Sequence, residues 1–118
     1  MRKVIAICFS LSCVMAFGQS RTEAEQKTNL ENAQQLFLAK CANCHGRDGS
    51  AHTAVATRMK VADLRSKQVQ QLSDDELYNA TAEGTGHKSY PHAFLHSGLT
   101  ENQIRDLIKY IRNFRKTQ

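Results

Sequence analysis

Residues 41–45 read Cys-Ala-Asn-Cys-His, and this stretch decides how the rest of the chain is interpreted. Cys41 and Cys44 are three positions apart, so on a helix their thiols stand about one turn from each other. His45 follows the second thiol directly. Apolar residues recur at steps of three and four before this stretch, which predicts a helix over residues 29–44. The sequence therefore places two thiols and an imidazole at the end of one helix.

A Cys-x-x-Cys-His stretch is the attachment signature of a c-type haem. Two thiols one helical turn apart can add to the two vinyl groups of one porphyrin edge. The adjacent histidine then lies under the iron. The motif predicts one covalently attached haem c, with Cys41 and Cys44 as its thioether residues and His45 as the proximal iron ligand.

Two other interpretations of the cysteine pair explain less of the sequence. A thioredoxin-type redox pair belongs to a βαβ fold, and this chain shows no strand-like alternation. A structural zinc site would need two more ligands, and the nearest suitable spacing, His92 and His96, lies far along the chain. Haem attachment remains the favoured interpretation.

The amino-terminal residues have the pattern of an export signal. Arg2 and Lys3 precede an apolar run over residues 4–17, which is shorter than the roughly 20 residues that span a bilayer. We therefore predict a cleaved secretory signal peptide over residues 1–18 and a mature chain with no membrane span, exported to the periplasm or another extracytoplasmic space. An uncleaved anchor and a lipid on Cys13 are the alternatives.

The remaining residues divide into a flexible leading segment, 19–29, and one domain over 30–116. Only 22 residues of the mature chain are Val, Ile, Leu, Met, Phe or Tyr, which is few for a core that must offset the conformational entropy of folding. A bound macrocycle would supply the missing apolar surface. The side chains expected to pack around it are Phe37, Leu64, Leu77, Tyr78, Phe94, Leu107 and Ile111.

Two further helices have clear start signals. Ser73 with Glu76, and Thr100 with Gln103, each form the pattern of a capping box. They predict helices over about 74–83 and from about 101 to the carboxyl end, whereas residues 45–71 are predicted as a long loop with at most a short helical turn. The fold class predicted is all-α, with three or more short helices and long loops around one covalent haem.

The net charge does not indicate a nucleic-acid partner. The formal charge is +5, but Arg2 and Lys3 belong to the predicted signal, and two haem propionates would lower the charge further. What remains is a concentration of basic residues in the last helix, a candidate docking surface. These residues are Arg105, Lys109, Arg112, Arg115 and Lys116.

From residue 30 to residue 114 the chain resembles a small class I cytochrome c. The resemblance is carried by Leu36-Phe37 before the first cysteine, by the attachment motif with Gly46, and by the two capped helix starts over 72–77 and 99–104. It implies a cytochrome c fold, in which the first and last helices cross and the haem lies between helices and loops.

The sequence departs from this family at the sixth iron ligand. Family members usually have Met-Pro in the loop before the last helix, where this chain has Tyr90-Pro91. We predict His92 or Tyr90 as the sixth ligand, since neutral imidazole binds iron well and Tyr90 has the family position. Weaker candidates are His87, His96 and Met59, and an unligated iron is a further alternative.

The function expected is that of an exported mono-haem cytochrome. It would pass single electrons between transiently bound redox partner proteins by Fe(II)/Fe(III) cycling, and it would not be an enzyme. The alternative is a haem protein with an open or labile sixth site that binds or reduces a small ligand.

Overall fold

The computed structural model describes the backbone of residues 17–85 and 92–117 and the side chains of residues 22–85 and 92–115. Within these ranges the chain is helical and contains no strand, which confirms the all-α fold class. The helices are α1 (Phe17–Lys40), α2 (Ala42–His45), α3 (Ala54–Met59), α4 (Lys67–Gln70), α5 (Asp74–Ala82) and α6 (Glu101–Asn113), and a 3₁₀ turn over Phe114–Thr117 follows α6.

Both predicted capping boxes are present. The Ser73 hydroxyl accepts a hydrogen bond from the Glu76 backbone N–H, and the Glu76 carboxylate accepts one from the Ser73 N–H at 2.7 Å. Thr100 and Gln103 form the same reciprocal pair at the start of α6. The hydrogen bonds from Ser73 lower the pKa of the Glu76 carboxyl. These boxes satisfy backbone donors that the first helical turn leaves without partners.

The crossing of α1 and α6 forms the core of the domain. Phe37 of α1 is fully buried, and its ring centroid lies 5.4 Å from that of Tyr110 and 5.2 Å from that of Phe114. The apolar face predicted for the last helix is buried as expected: Ile104, Leu107, Ile108, Ile111 and Phe114. Aromatic pairs at this range and tilt stabilise a core beyond their buried area alone.

The first helix differs from its prediction at both ends. It begins at Phe17 and not at Asn29, so the segment predicted to be flexible is helical. Residues 22–30 are exposed and rich in helix-forming Glu, Gln and Lys, so this part needs no apolar stripe to be helical. At the other end the helix stops at Lys40, and α2 starts afresh after Cys41.

The region predicted as a long loop contains two short helices. Thr53 and Ser66 cap them, because their hydroxyls accept hydrogen bonds from the N–H groups of Ala56 and Val69. Side-chain capping of this kind suits short helices that lack an apolar period of their own. The prediction of at most one short helical turn in this region is therefore wrong.

One arginine connects α6 with the ends of α4 and α5. Arg112 donates to the Asp74 carboxylate from Nε at 2.9 Å and from a terminal nitrogen at 2.8 Å. The same guanidinium donates to the backbone carbonyls of Gln70 and Leu72. Its planar fork thus ties the last helix to the short turn before α5.

Most of the predicted signal peptide lies outside the described residues, and its cleavage stays a prediction. No helix among the described residues is both long enough and apolar enough to cross a bilayer.

Replacing Arg112 with alanine should lower the free energy of unfolding by about 1–3 kcal/mol, because two carbonyls and a carboxylate lose a charged donor. Lys109→Ala is the matched control, since Lys109 pairs with Asp106 on the exposed side of the same helix and should cost about 0.5 kcal/mol or less. Guanidinium unfolding followed by circular dichroism measures both. Equal losses in the two variants would contradict the role given to Arg112.

Candidate functional site

The attachment motif forms a compact corner after α1. The His45 N–H donates to the Cys41 carbonyl at 2.9 Å, and the Gly46 N–H donates to the Ala42 carbonyl at 2.9 Å. Gly46 then takes a φ of +78°, a conformation that glycine adopts without strain, and the chain turns away. The corner therefore presents both thiols and the imidazole from one turn of backbone.

His45 is held in a single orientation by a backbone carbonyl. The residue is 9% exposed, and its Nδ1 lies 3.1 Å from the carbonyl oxygen of Ala62. A carbonyl only accepts, so Nδ1 is the protonated nitrogen in this hydrogen bond and Nε2 carries the lone pair. Histidines that bind metals are commonly oriented by this kind of contact.

The two thiols are half-buried and are not joined in a disulfide. Burial, together with the neighbouring Cys44, raises the pKa of the Cys41 thiol to about 12. Cys41 in the folded domain is consequently a neutral thiol at physiological pH. Within the described ranges, no group of three or more His, Cys, Asp or Glu residues is arranged to hold a bare metal ion.

An apolar cavity opens beside the motif, and Cys41, Cys44 and His45 line it. Six of the seven side chains predicted to surround the haem also line it: Phe37, Leu64, Leu77, Phe94, Leu107 and Ile111. Tyr78 does not line it, and its ring lies under the Arg105 guanidinium at 4.7 Å. An apolar cavity with two thiols and an imidazole at its wall has the chemistry that a covalently held haem requires, and the residues fit the group.

A second imidazole also lines the cavity. The ring centroid of His92 lies 6.0 Å from that of His45, and the two ring planes differ by 8°. His92 also lies beside Phe94, with 6.1 Å between ring centroids. The structure thus brings together two histidines that are 47 positions apart in the sequence.

The other candidates for the sixth iron ligand lie elsewhere or outside the described residues. Tyr90 and His87 fall in the range that is not described. His96 is exposed, and its Nε2 lies 2.8 Å from the Glu83 carboxylate. Met59 is 44% exposed at the end of α3 and does not line the cavity.

Two backbone features of the site escaped the sequence analysis. The Ala62 carbonyl that orients His45 carries no side-chain signal. Ala93, directly after His92, has a φ of +77°, which is unfavourable for any residue with a Cβ atom. Neither residue type reveals its role in a single sequence.

The fold and the cavity together define a small all-helical haem protein. The family model described as cytochrome c matches residues 30–115, most of the chain, and the chain belongs to the cytochrome c family. Membership implies a covalently attached haem c with its iron, and electron transfer with redox partner proteins. A comparison with curated protein sequences finds no match.

The segment that contains Ala62, whose carbonyl orients His45, also contains a pH-dependent contact. Asp63 follows Ala62, and its carboxylate accepts hydrogen bonds from the Arg65 side chain at 3.1 and 3.0 Å and from the Arg65 backbone N–H at 2.8 Å. The Arg65 side chain is the main cause that lowers the pKa of the Asp63 carboxyl. A lowered pKa in the folded state stabilises the fold above the ordinary carboxyl pKa, and this contribution is lost as the pH falls through the folded value.

Asp63→Asn should therefore lower the free energy of unfolding at neutral pH by under about 1 kcal/mol, since the contact is partly exposed. The difference from the wild type should disappear as the pH falls below about 4. Urea unfolding at several pH values measures it. In an Arg65→Gln background the Asp63 substitution should have a smaller effect, because only the backbone hydrogen bond from residue 65 remains, and an undiminished effect there would contradict the side-chain pairing.

Proposed function

We propose that this protein is an exported electron carrier, not an enzyme, that holds one haem c through Cys41 and Cys44 with His45 as the proximal ligand. The observation that carries the proposal is the apolar cavity with both thiols and the oriented imidazole at its wall. When bound, the haem supplies a one-electron Fe(II)/Fe(III) couple.

The chain's own residues hold and shield this group. The apolar side chains of α1 and α6, among them Phe37 and Leu107, exclude water from the site because both are fully buried. The Ala62 carbonyl keeps the His45 ring in the orientation and tautomer that suit an axial ligand. The described lining is apolar apart from the motif, His92, Thr81 and Lys40, so it offers little to orient a polar substrate.

Transient docking to redox proteins is the second part of the proposal, and the charges of α6 bear on where it occurs. Arg112 binds Asp74, Lys109 pairs with Asp106, and Arg105 lies over Tyr78. In each of these three contacts, a basic group of α6 binds another side chain of the same protein. Carboxylates offset the charges of Arg112 and Lys109, so electrostatic steering by α6 is weaker than its basic residues alone suggest.

Export is the third part of the proposal. It is supported by the basic and apolar residues of 1–18, and by the location of c-type haem attachment outside the cytoplasm. An export signal and a haem attachment motif in the same chain agree with each other, because the signal directs the chain to the compartment in which the haem is attached.

Expression of the full chain in a host that exports proteins and attaches c-type haem tests these points together. The purified protein should begin at Gln19 and gain the mass of one haem, and the haem should stay bound after denaturation. The Cys41→Ala/Cys44→Ala variant should lose all covalent haem. Cys8→Ala/Cys13→Ala is the matched control and should keep it, because both of those residues lie in the predicted signal.

Voltammetry of the holoprotein then tests the electron-carrier role. A reversible one-electron wave without turnover of added peroxide is the expected result. Covalent haem lost in the Cys8/Cys13 control would contradict attachment through Cys41 and Cys44. Catalytic peroxide reduction at a rate typical of an enzyme would contradict the electron-carrier role and favour the small-ligand alternative.

A further inference from the structure

The separation of the His45 and His92 ring centres is close to the spacing of two imidazoles on one metal, and the two ring planes are nearly parallel. An imidazole nitrogen binds a first-row metal at about 2.0–2.1 Å. The nitrogen is about 1.15 Å from the ring centre, so two axial imidazoles have centroids about 6.3–6.5 Å apart. The observed separation is 6.0 Å, and both rings line the same cavity.

The position of His92 is fixed by the backbone that follows it. The N–H groups of Ala93 and Phe94 both donate to the Thr81 carbonyl, at 3.2 and 3.0 Å, and the Leu95 N–H donates to the Ala82 carbonyl at 3.2 Å. These bonds attach the segment to the last turn of α5. The backbone that directly follows His92 is therefore anchored to the end of α5.

Backbone strain next to His92 also indicates that this segment is held in a fixed conformation. The φ of +77° at Ala93 costs about 1–3 kcal/mol for a residue with a Cβ atom, and such strain is found where function requires a fixed geometry. Gly84 lies beside this segment and has a φ of +73°, which glycine adopts without strain. The chain maintains a costly conformation at the residue that sets the direction of His92.

We infer that His92 is the sixth ligand of the haem iron, in the place that methionine has in this family, with its ring nearly parallel to that of His45. The inference rests on the proposed function, because it requires haem held by Cys41 and Cys44. Two nitrogen ligands close the iron to added ligands. They also give it a lower reduction potential than a methionine–histidine pair does, since a methionine ligand raises the potential.

The spectra of the holoprotein test the ligand directly, and none of these readouts depends on activity. The wild-type iron should be low-spin in both oxidation states, and its ferrous form should take up no carbon monoxide. His92→Ala should convert the ferrous iron to high spin and make carbon monoxide binding complete. Added imidazole should return this variant to the low-spin spectrum.

His96→Ala is the matched control, because it removes the other histidine of the described segment, which is exposed and bound to Glu83. It should keep the wild-type spectra and the resistance to carbon monoxide.

His92→Met provides a second test, which can be used even if the alanine variant folds poorly. It should raise the midpoint potential, whereas His96→Met should leave it unchanged.

Electron paramagnetic resonance of the ferric wild type tests the ring orientation. Nearly parallel imidazole planes should give a rhombic low-spin signal with three resolved g values. A single dominant signal at large g, as perpendicular rings produce, would overturn the parallel arrangement.

The failures of the two proposals are distinguishable. Covalent haem with a high-spin iron that binds carbon monoxide, or a His92→Ala variant that stays low-spin, overturns the ligand assignment and leaves the haem attachment standing. A wild type without covalent haem overturns the proposed function, and the ligand assignment with it.

Discussion

The burial of Phe37 between Tyr110 and Phe114 is the contact on which the rest of the structure depends. Phe37 lies four residues before Cys41, and the Cys41 N–H donates to the Phe37 carbonyl at 2.8 Å. The crossing of α1 with α6 therefore sets the position of the first thiol. From there the short α2 sets the second thiol and the imidazole, and the cavity wall follows from the same crossing because Leu107 and Ile111 belong to α6.

The parts of the fold that could be predicted depend on side chains that lie near each other in the sequence. The capping boxes at Ser73 and Thr100 and the apolar face of α6 each depend on residues within a few positions, and all are present. The attachment motif is similarly local. The predicted start of α1 was wrong, because an exposed helix needs only helix-forming residues and shows no apolar period.

The parts that could not be predicted depend on main-chain groups or on distant partners. Two histidines far apart in the chain lie 6.0 Å apart between ring centres, and nothing in the sequence distinguishes His92, which lines the cavity, from His96, which does not. The distinction comes from hydrogen bonds of backbone N–H groups to the end of α5, which every residue type can make. The assignment of Tyr78 to the cavity failed for a related reason, since its partner Arg105 is on another helix.

The crossing of α1 and α6 also has a consequence for the order of events during biogenesis. A chain made from its amino end presents Cys41 and Cys44 more than sixty residues before Leu107 and Ile111 exist to cover the site. Until α6 is complete, the cavity beside the motif lacks the part of its wall that Leu107 and Ile111 supply. The site is therefore fully enclosed by apolar side chains only after the last helix has packed against α1.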